Sequence, residues 1–171
     1  MLAIVGATCS GKNWFANRLC AEDGWERVIT CTTRPIRSGE TNGESYVFMD
    51  DYNFDYLAKQ GKLINVREYE TVEGIWKYGI RPADIDMSKK KRLIIIDPLG
   101  AKLFKPWDVA LIVAPRDVRK LRAFCRGDNE TEFARRDHAD QHDIALMIDF
   151  YQRYYNEYPQ IITNKFQEIQ Q

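Results

Sequence analysis

The residues Gly6-Ala7-Thr8-Cys9-Ser10-Gly11-Lys12 have the spacing of a loop that binds phosphate. Two glycines separated by four residues let the backbone turn tightly with its N–H groups directed inward. Such amides, followed by the N-terminus of a helix, make a ready anion site. Lys12 would meet the β and γ phosphates of a nucleoside triphosphate. The next position usually carries a Ser or Thr whose hydroxyl ligates Mg²⁺; here it is Asn13, followed by Trp14. The Asn13 carbonyl offers a metal one oxygen, directly or through water, but its NH₂ group repels a cation. A plain glycine turn would explain the two glycines and leave the Lys and the preceding strand unexplained.

Positioning this loop requires a strand before it and a helix after it. Leu2 to Val5 (LAIV) is too short and too apolar for anything but a buried strand, and Lys12 to Ala21 has helical spacing of Trp14, Phe15 and Leu19. Further along, Trp25 to Cys31 alternates as a strand, Ser45 to Met49 forms another, and Asp50 to Gln60 reads as a helix capped by Asp50 or Asp51. Lys62 to Gly79 suggests paired strands with a turn near Glu73-Gly74, and Pro82 to Lys90 a helix. Leu93 to Ile96 and Val109 to Val113 are strands of the kind buried on both faces. Asp117 to Phe124 and Phe133 to Tyr155 are helices separated by Gly127-Asp128-Asn129, and Ile161-Ile162 is a last short strand. Alternating strands and helices predict an α/β fold with a mainly parallel sheet flanked by helices. Phe133, Phe150, Tyr151 and Tyr154 read as core residues. The run Lys89 to Arg92 and the terminal QEIQQ read as solvated surface.

The bulk properties narrow the class. A chain of 171 residues fits one domain with a sizeable core, and 12% aromatic with 44% hydrophobic residues argues against disorder. A formal net charge of +0 lacks the basic excess of a protein that coats nucleic acid or an acidic membrane. Cys9, Cys20, Cys31 and Cys125 have no metal-ligand spacing, and His138 and His142 are the only histidines. Reduced thiols in a cytoplasmic protein are the expectation. No stretch approaches the roughly 18 apolar residues of a membrane span.

A second constellation is Thr30 to Tyr46, TCTTRPIRSGETNGESY. Its pattern closely resembles the nucleoside-monophosphate site of guanylate kinases. GKLINVREY followed by KYG resembles the second part of that site, and IIIDPLGAKLF the strand that ends in Asp. RAFCRGDNETEFARR resembles the family's arginine-rich lid, and IITN the loop beside the adenine of ATP. The resemblance covers nearly the whole chain in order. It implies a P-loop-type sheet (core 1–31 and 80–171) with a small β subdomain for the monophosphate (about 32–79) and a helical lid (about 122–136).

The resemblance also implies roles. Gly6, Ala7, Thr8, Cys9, Ser10, Gly11, Lys12, Asn13, Trp14 and Asn164 would bind ATP. Arg34, Arg37 and Tyr46, with Tyr78, would hold the acceptor phosphate, and Thr30, Asn65 and Asp97 would read the base. Lys12, Arg34, Arg122, Arg126 and Arg136 would stabilise the moving phosphoryl group, with Arg135 able to replace Arg136. The implied cosubstrate is ATP with Mg²⁺, the partners are small nucleotides, and no covalent intermediate is required, because positioning and electrostatics suffice. Arginine suits this work because its planar fork grips phosphate in two places.

Three departures from the family pattern matter. Asn13 replaces the metal-side hydroxyl. Ile95 stands where the family has the first Asp of D-x-D, leaving Asp97. Asn65 stands where the family has a Glu that accepts from guanine N1–H and N2–H₂. Asn accepts once and presents a donor beside it, at a cost of roughly 1–3 kcal/mol. Strand alternation would put Glu68 on the opposite face from Asn65. The expected activity is ATP-dependent phosphorylation of GMP or dGMP. The alternatives are another base, a noncatalytic binding module of the same fold, and a P-loop kinase for a non-nucleotide substrate, which leaves TTRPIRSGETNGESY without a purpose.

Overall fold

The computed structural model describes residues 1–71, 74–85 and 91–164. The chain divides into two compact units, residues 1–27 with 91–171, and residues 28–90.

The first unit is built on a sheet of five strands: β1 (Leu2–Val5), β2 (Glu26–Val28), β7 (Arg92–Ile95), β8 (Val109–Val113) and β9 (Gln160–Thr163). Their order across the sheet is β2-β7-β1-β8-β9. The β1–β7, β1–β8 and β8–β9 pairs are all parallel. Parallel strands need covering on both faces, which is why the central strands β1, β7 and β8 are nearly continuous apolar runs. Helix α1 (Lys12–Asp23) covers the sheet through Ala16, Phe15 and Leu19, which pack with Ile4, Leu93, Ala110 and Ile112. α1 stops at Gly24, whose φ of 66° ends the helix in a left-handed cap. Helices α3 (Arg116–Cys125) and α4 (Glu130–Tyr155) follow β8. Asn129 starts α4 by accepting from the Glu132 amide at 2.9 Å. Tyr151 of α4 is fully buried and donates to the carbonyls of Ala101 and Phe104, the latter at 3.2 Å.

The second unit holds a sheet of four strands: β3 (Cys31–Thr32), β4 (Val47–Phe48), β5 (Ile64–Thr71) and β6 (Gly74–Ile80). Their order is β4-β3-β6-β5. Helix α2 (Asp51–Lys59) starts at Asp50, whose carboxylate accepts from the Asn53 amide at 2.7 Å. Phe54 of α2 packs with Cys31 and Leu63 on one face of the sheet. Gly79 sits close beneath it: a Cβ there would lie 3.2 Å from the Phe54 ring, which would have to shift by a few tenths of an ångström.

Several expectations are corrected. Trp25 to Cys31 is two strands, not one. The chain leaves the five-stranded sheet after Val28 and enters the four-stranded sheet at Cys31, so alternation persists across a change of partner. Pro82 to Asp84 forms one 3₁₀ turn, and the remainder of the expected helix to Lys90 lies outside the described residues. The same holds for part of the Glu73-Gly74 turn, for part of the Lys89 to Arg92 run and for the C-terminal QEIQQ. Phe133 and Tyr151 are core, but Tyr154 is 68% exposed, because it falls on the outer side of α4.

Candidate functional site

The loop between β1 and α1 is shaped by its glycines. A Cβ on Gly6 would lie 2.4 Å from the Ile112 carbonyl oxygen, and one on Gly11 would lie 2.1 Å from Asn164 Nδ2. Gly11 has φ 98°, and Cys9 holds a left-handed φ of 57°. Ser10 is fully buried, and its Oγ has no hydrogen-bond partner among the described residues. Asn164, just after β9, packs against the loop. It is 7% exposed and donates from Nδ2 to the Ser10 carbonyl at 3.0 Å, so the residue after β9 fastens the loop from behind.

Lys12 turns back on its own loop, donating to the carbonyls of Gly6 at 2.7 Å and Ala7 at 2.9 Å. Burial pulls its pKa below the ordinary lysine value, against the attraction of Asp140. Asn13 is exposed, and its Oδ1 accepts from Arg27 Nη2 at 3.4 Å. A guanidinium beside that oxygen disfavours a metal ion in direct contact. Among the described residues no group of three or more His, Cys, Asp or Glu side chains is placed to hold a metal. Among the described residues, the donors near the loop do not by themselves build a Mg²⁺ site. Trp14 stacks with Arg18, whose guanidinium lies 5.5 Å from the ring centroid. Together with Phe15, Leu19, Ile162 and Asn164 they line a cleft of about 300 Å³.

The arginines of the expected lid are each engaged by neighbours. Arg122 donates to the Cys9 carbonyl at 3.2 Å, which brings it against the phosphate loop. Arg126 is paired with Asp128, and Arg136 reaches the same carboxylate at 3.2 Å. Arg135 lies against Glu132 at 2.8 Å.

In the second unit Thr32 is registered with Tyr78 on β6 and with Phe48 on β4, so the three share a face, opposite the one that Phe54 covers. Tyr46 joins that face, 5.7 Å from Phe48 and 6.1 Å from Tyr78 between ring centroids. The Arg34 guanidinium lies 5.4 Å from the Tyr46 ring and 5.5 Å from Phe48, and Arg37 lies 5.9 Å from Trp76. Arg34 is only 4% exposed. Burial works against its charge, but hydrogen bonds to Glu40 outweigh this and its pKa is raised. Burial likewise pushes Glu40 up, and Arg34 with the Arg37 amide holds it below the ordinary carboxylate value. Thr30 lies between the two sheets' strands in sequence, and its carbonyl accepts from the Val47 amide at 2.9 Å.

Asn65 has φ 48° in a bulge between Ile64 and Arg67, where one extra residue enters β5. The bulge shifts the register against β6, but exposure still alternates along β5, with Asn65 half-buried and Glu68 exposed. Asp97 belongs to the first unit, where its Oδ1 accepts from the Gly100 amide at 2.8 Å and shapes the turn after β7.

Sequence reasoning missed several residues here. Glu40 is the partner that fixes Arg34, and the GE pair of the quoted motif was its only signal. Arg67 stands directly opposite Tyr78 in the β5–β6 ladder and so shares its face, a fact that depends on register. Arg119, 6% exposed, donates to the Thr8 carbonyl at 3.4 Å and pairs with Asp137 at 2.6 Å. Asp140 accepts from the Thr8 amide at 2.5 Å. The last three sit on α3 and α4, far from the loop in sequence.

A parallel-paired sheet whose first strand runs through a Gly-x₄-Gly-Lys loop into a helix defines a P-loop-type α/β protein. The comparisons narrow the class. The family model for guanylate kinase matches residues 1–103. The guanylate kinase of Bdellovibrio bacteriovorus is 25% identical over 188 aligned positions, covering 96% of this chain and 96% of that protein. The guanylate kinase of Rickettsia typhi is 30% identical, over 91% of this chain and 78% of that protein. The crystal structure of guanylate kinase from Anaplasma phagocytophilum has the same fold, with a TM-score of 0.58 and 22% identity over 98% of this chain and 78% of that one. The chain belongs to the guanylate kinase family.

Proposed function

We propose that this protein is a nucleoside monophosphate kinase that transfers the γ-phosphoryl group of ATP to GMP or dGMP. The observation that carries the reading is the retention of both anion-binding elements in one chain of this family. One is the Gly6–Lys12 loop. The other is the Arg34–Arg37–Tyr46–Tyr78 face, with Arg34 held in place by Glu40. A binding module that had lost catalysis would have no reason to keep the loop lysine and its closely packed glycines.

Mg²⁺ enters with ATP as the phosphate complex that serves as substrate. Asn13 faces that complex through water. Loop amides and Lys12 take the β and γ phosphates, while Arg34, Arg37, Tyr46 and Tyr78 take the acceptor phosphate, with Arg67 as a further cation on that face. Thr30, Asn65 and Asp97 contact the base. Arg126 and Arg136, with Arg135 beside them, exchange their carboxylate partners for phosphate oxygens as the lid of about 122–136 closes and excludes water, and Arg122 turns from the Cys9 carbonyl to the same phosphates. The attacking phosphate oxygen is already an anion, so the transfer needs no general base. Charge spreading over the moving phosphoryl is met by the lysine and arginines.

The test is a panel assay in which ATP, Mg²⁺ and each common ribo- or deoxynucleoside monophosphate are mixed with purified protein and ADP is followed. ADP formed with GMP or dGMP supports the reading. Turnover with another base keeps the mechanism and moves the specificity to Asn65. No turnover with any monophosphate overturns it.

A further inference from the structure

We propose that Asp140 is an intramolecular stand-in for a nucleotide phosphate: its carboxylate occupies the anion position of the Gly6–Lys12 loop, and triphosphate binding must displace it. The inference rests on the proposed nucleotide-binding role of the loop and adds a competitor that lies within the chain.

The geometry is direct. Asp140 Oδ2 accepts from the Thr8 backbone amide at 2.5 Å, across 132 residues of sequence. Loop amides of this kind are the groups that a phosphate oxygen would meet. A carboxylate resembles phosphate in charge and in presenting oxygen acceptors. Thr8 is at the same time held at its carbonyl by Arg119 at 3.4 Å, so α3 and α4 fix both backbone polar groups of that residue. Asp140 is also within electrostatic reach of Lys12, the cation proposed to bind phosphate in the loop.

Two observations distinguish a displaceable stand-in from a structural staple. A stabilising ion pair raises the lysine pKa and lowers the carboxylate pKa. Here both move the other way: burial lowers Lys12 and raises Asp140, in spite of their mutual attraction. Both charges are held at a cost that an incoming polyanion would relieve. The second observation is that the pattern repeats nearby. Arg126 and Arg136 are paired with Asp128, and Arg135 with Glu132. Asp140 lies one turn beyond Arg136 on α4, so withdrawal of its carboxylate and release of the lid arginines involve the same helix. Nucleotide occupancy of the loop is thereby coupled to the position of the lid.

The experiment is an equilibrium titration of the full chain with ATP, and with adenosine as a phosphate-free probe, in wild type, D140A and D140N. The expected result is about tenfold tighter ATP binding in D140A, the size of a charged hydrogen bond removed from competition. D140N should show a smaller gain, since Asn keeps an oxygen acceptor and loses the charge. Adenosine binding should not change. Unchanged or weaker ATP binding in the variants, beside normal binding by wild type, overturns the inference and leaves the proposed function standing. Equal tightening for adenosine would mark a general loosening of the loop and overturns it too. If D140A does not fold, D140N against wild type decides the question by the same outcomes. Failure of all three proteins, wild type included, to bind ATP overturns both the proposed function and this inference.

Discussion

Arg34 Nη2 reaches both carboxylate oxygens of Glu40, at 2.7 and 2.9 Å, while the guanidinium lies against the rings of Tyr46 and Phe48. Arg34 is therefore positioned before any ligand arrives. Little side-chain entropy remains to be lost when it meets a phosphate, and the aromatic wall limits where that phosphate can sit.

Replacing Glu40 by Gln removes the charge that fixes Arg34. The expected outcome is a loss of about 1–3 kcal/mol in stability, because a buried cation loses its partner, together with a raised KM for the acceptor monophosphate. The KM for ATP should hardly move. Denaturant unfolding and steady-state kinetics at varied GMP and varied ATP check the two parts separately.

Substituting Lys12 by Ala should lower kcat by about 100-fold or more, the scale for removing one charge-stabilising donor in a dry site. The fold should persist, since Lys12 Nζ donates to the carbonyls of Gly6 and Ala7, within its own loop. Circular dichroism and ADP formation, measured on the same sample, test this.

The glycines offer a matched contrast. Gly39 has φ 80°, and a Cβ placed there would meet nothing within 4 Å, so Gly39→Ala should cost about 1–2 kcal/mol of backbone strain alone. Gly6→Ala would add a clash at 2.4 Å with the Ile112 carbonyl and at 2.7 Å with Ser10 Oγ. It should be the more destabilising of the two and should abolish ATP binding. Equal losses in the two variants would contradict the loop's close packing.

Asp137 gives a pH signature. Burial works to raise its pKa, but hydrogen bonds from Arg116 and Arg119 outweigh this and hold it below the ordinary value of 3.8. A carboxylate lowered on folding stabilises the protein above its unfolded pKa, and loses that contribution as pH falls through the folded one. Wild type should thus exceed D137N in stability by about 1.5–3 kcal/mol at neutral pH. The gap should begin to narrow below about pH 5, where the unfolded carboxylate starts to protonate, and close as pH falls through the lowered folded pKa. Thermal unfolding of both proteins from neutral pH down to about pH 2 would show it, and a gap independent of pH would refute it.

Much of this was legible in the sequence where local rules decide. LAIV, the glycine loop, α1 and the Asp50 cap each follow from short-range periodicity and cap chemistry, and each is found where expected. The break at Gly127-Asp128-Asn129 is there too, with Asn129 as the cap of α4. What escaped depends on distance or register. Nothing in WERVITC marks Val28 as the last residue of one sheet and Cys31 as the first of another. The bulge at Asn65 in β5 is invisible to a period of two, although exposure still alternates along the strand and leaves Asn65 half-buried and Glu68 exposed. In the sequence Asp140 is one more charge on a polar helix. Only the packing of α4 against the loop reveals its contact with Thr8.

The most direct test of the central claim follows the phosphoryl group itself. ATP labelled at the γ position, Mg²⁺ and excess GMP are mixed with the enzyme, and the products are separated after a single turnover. Label in the β position of GDP, with one ADP formed for each GDP, is the predicted result. Label that remains in ATP, or that leaves as inorganic phosphate, would contradict it.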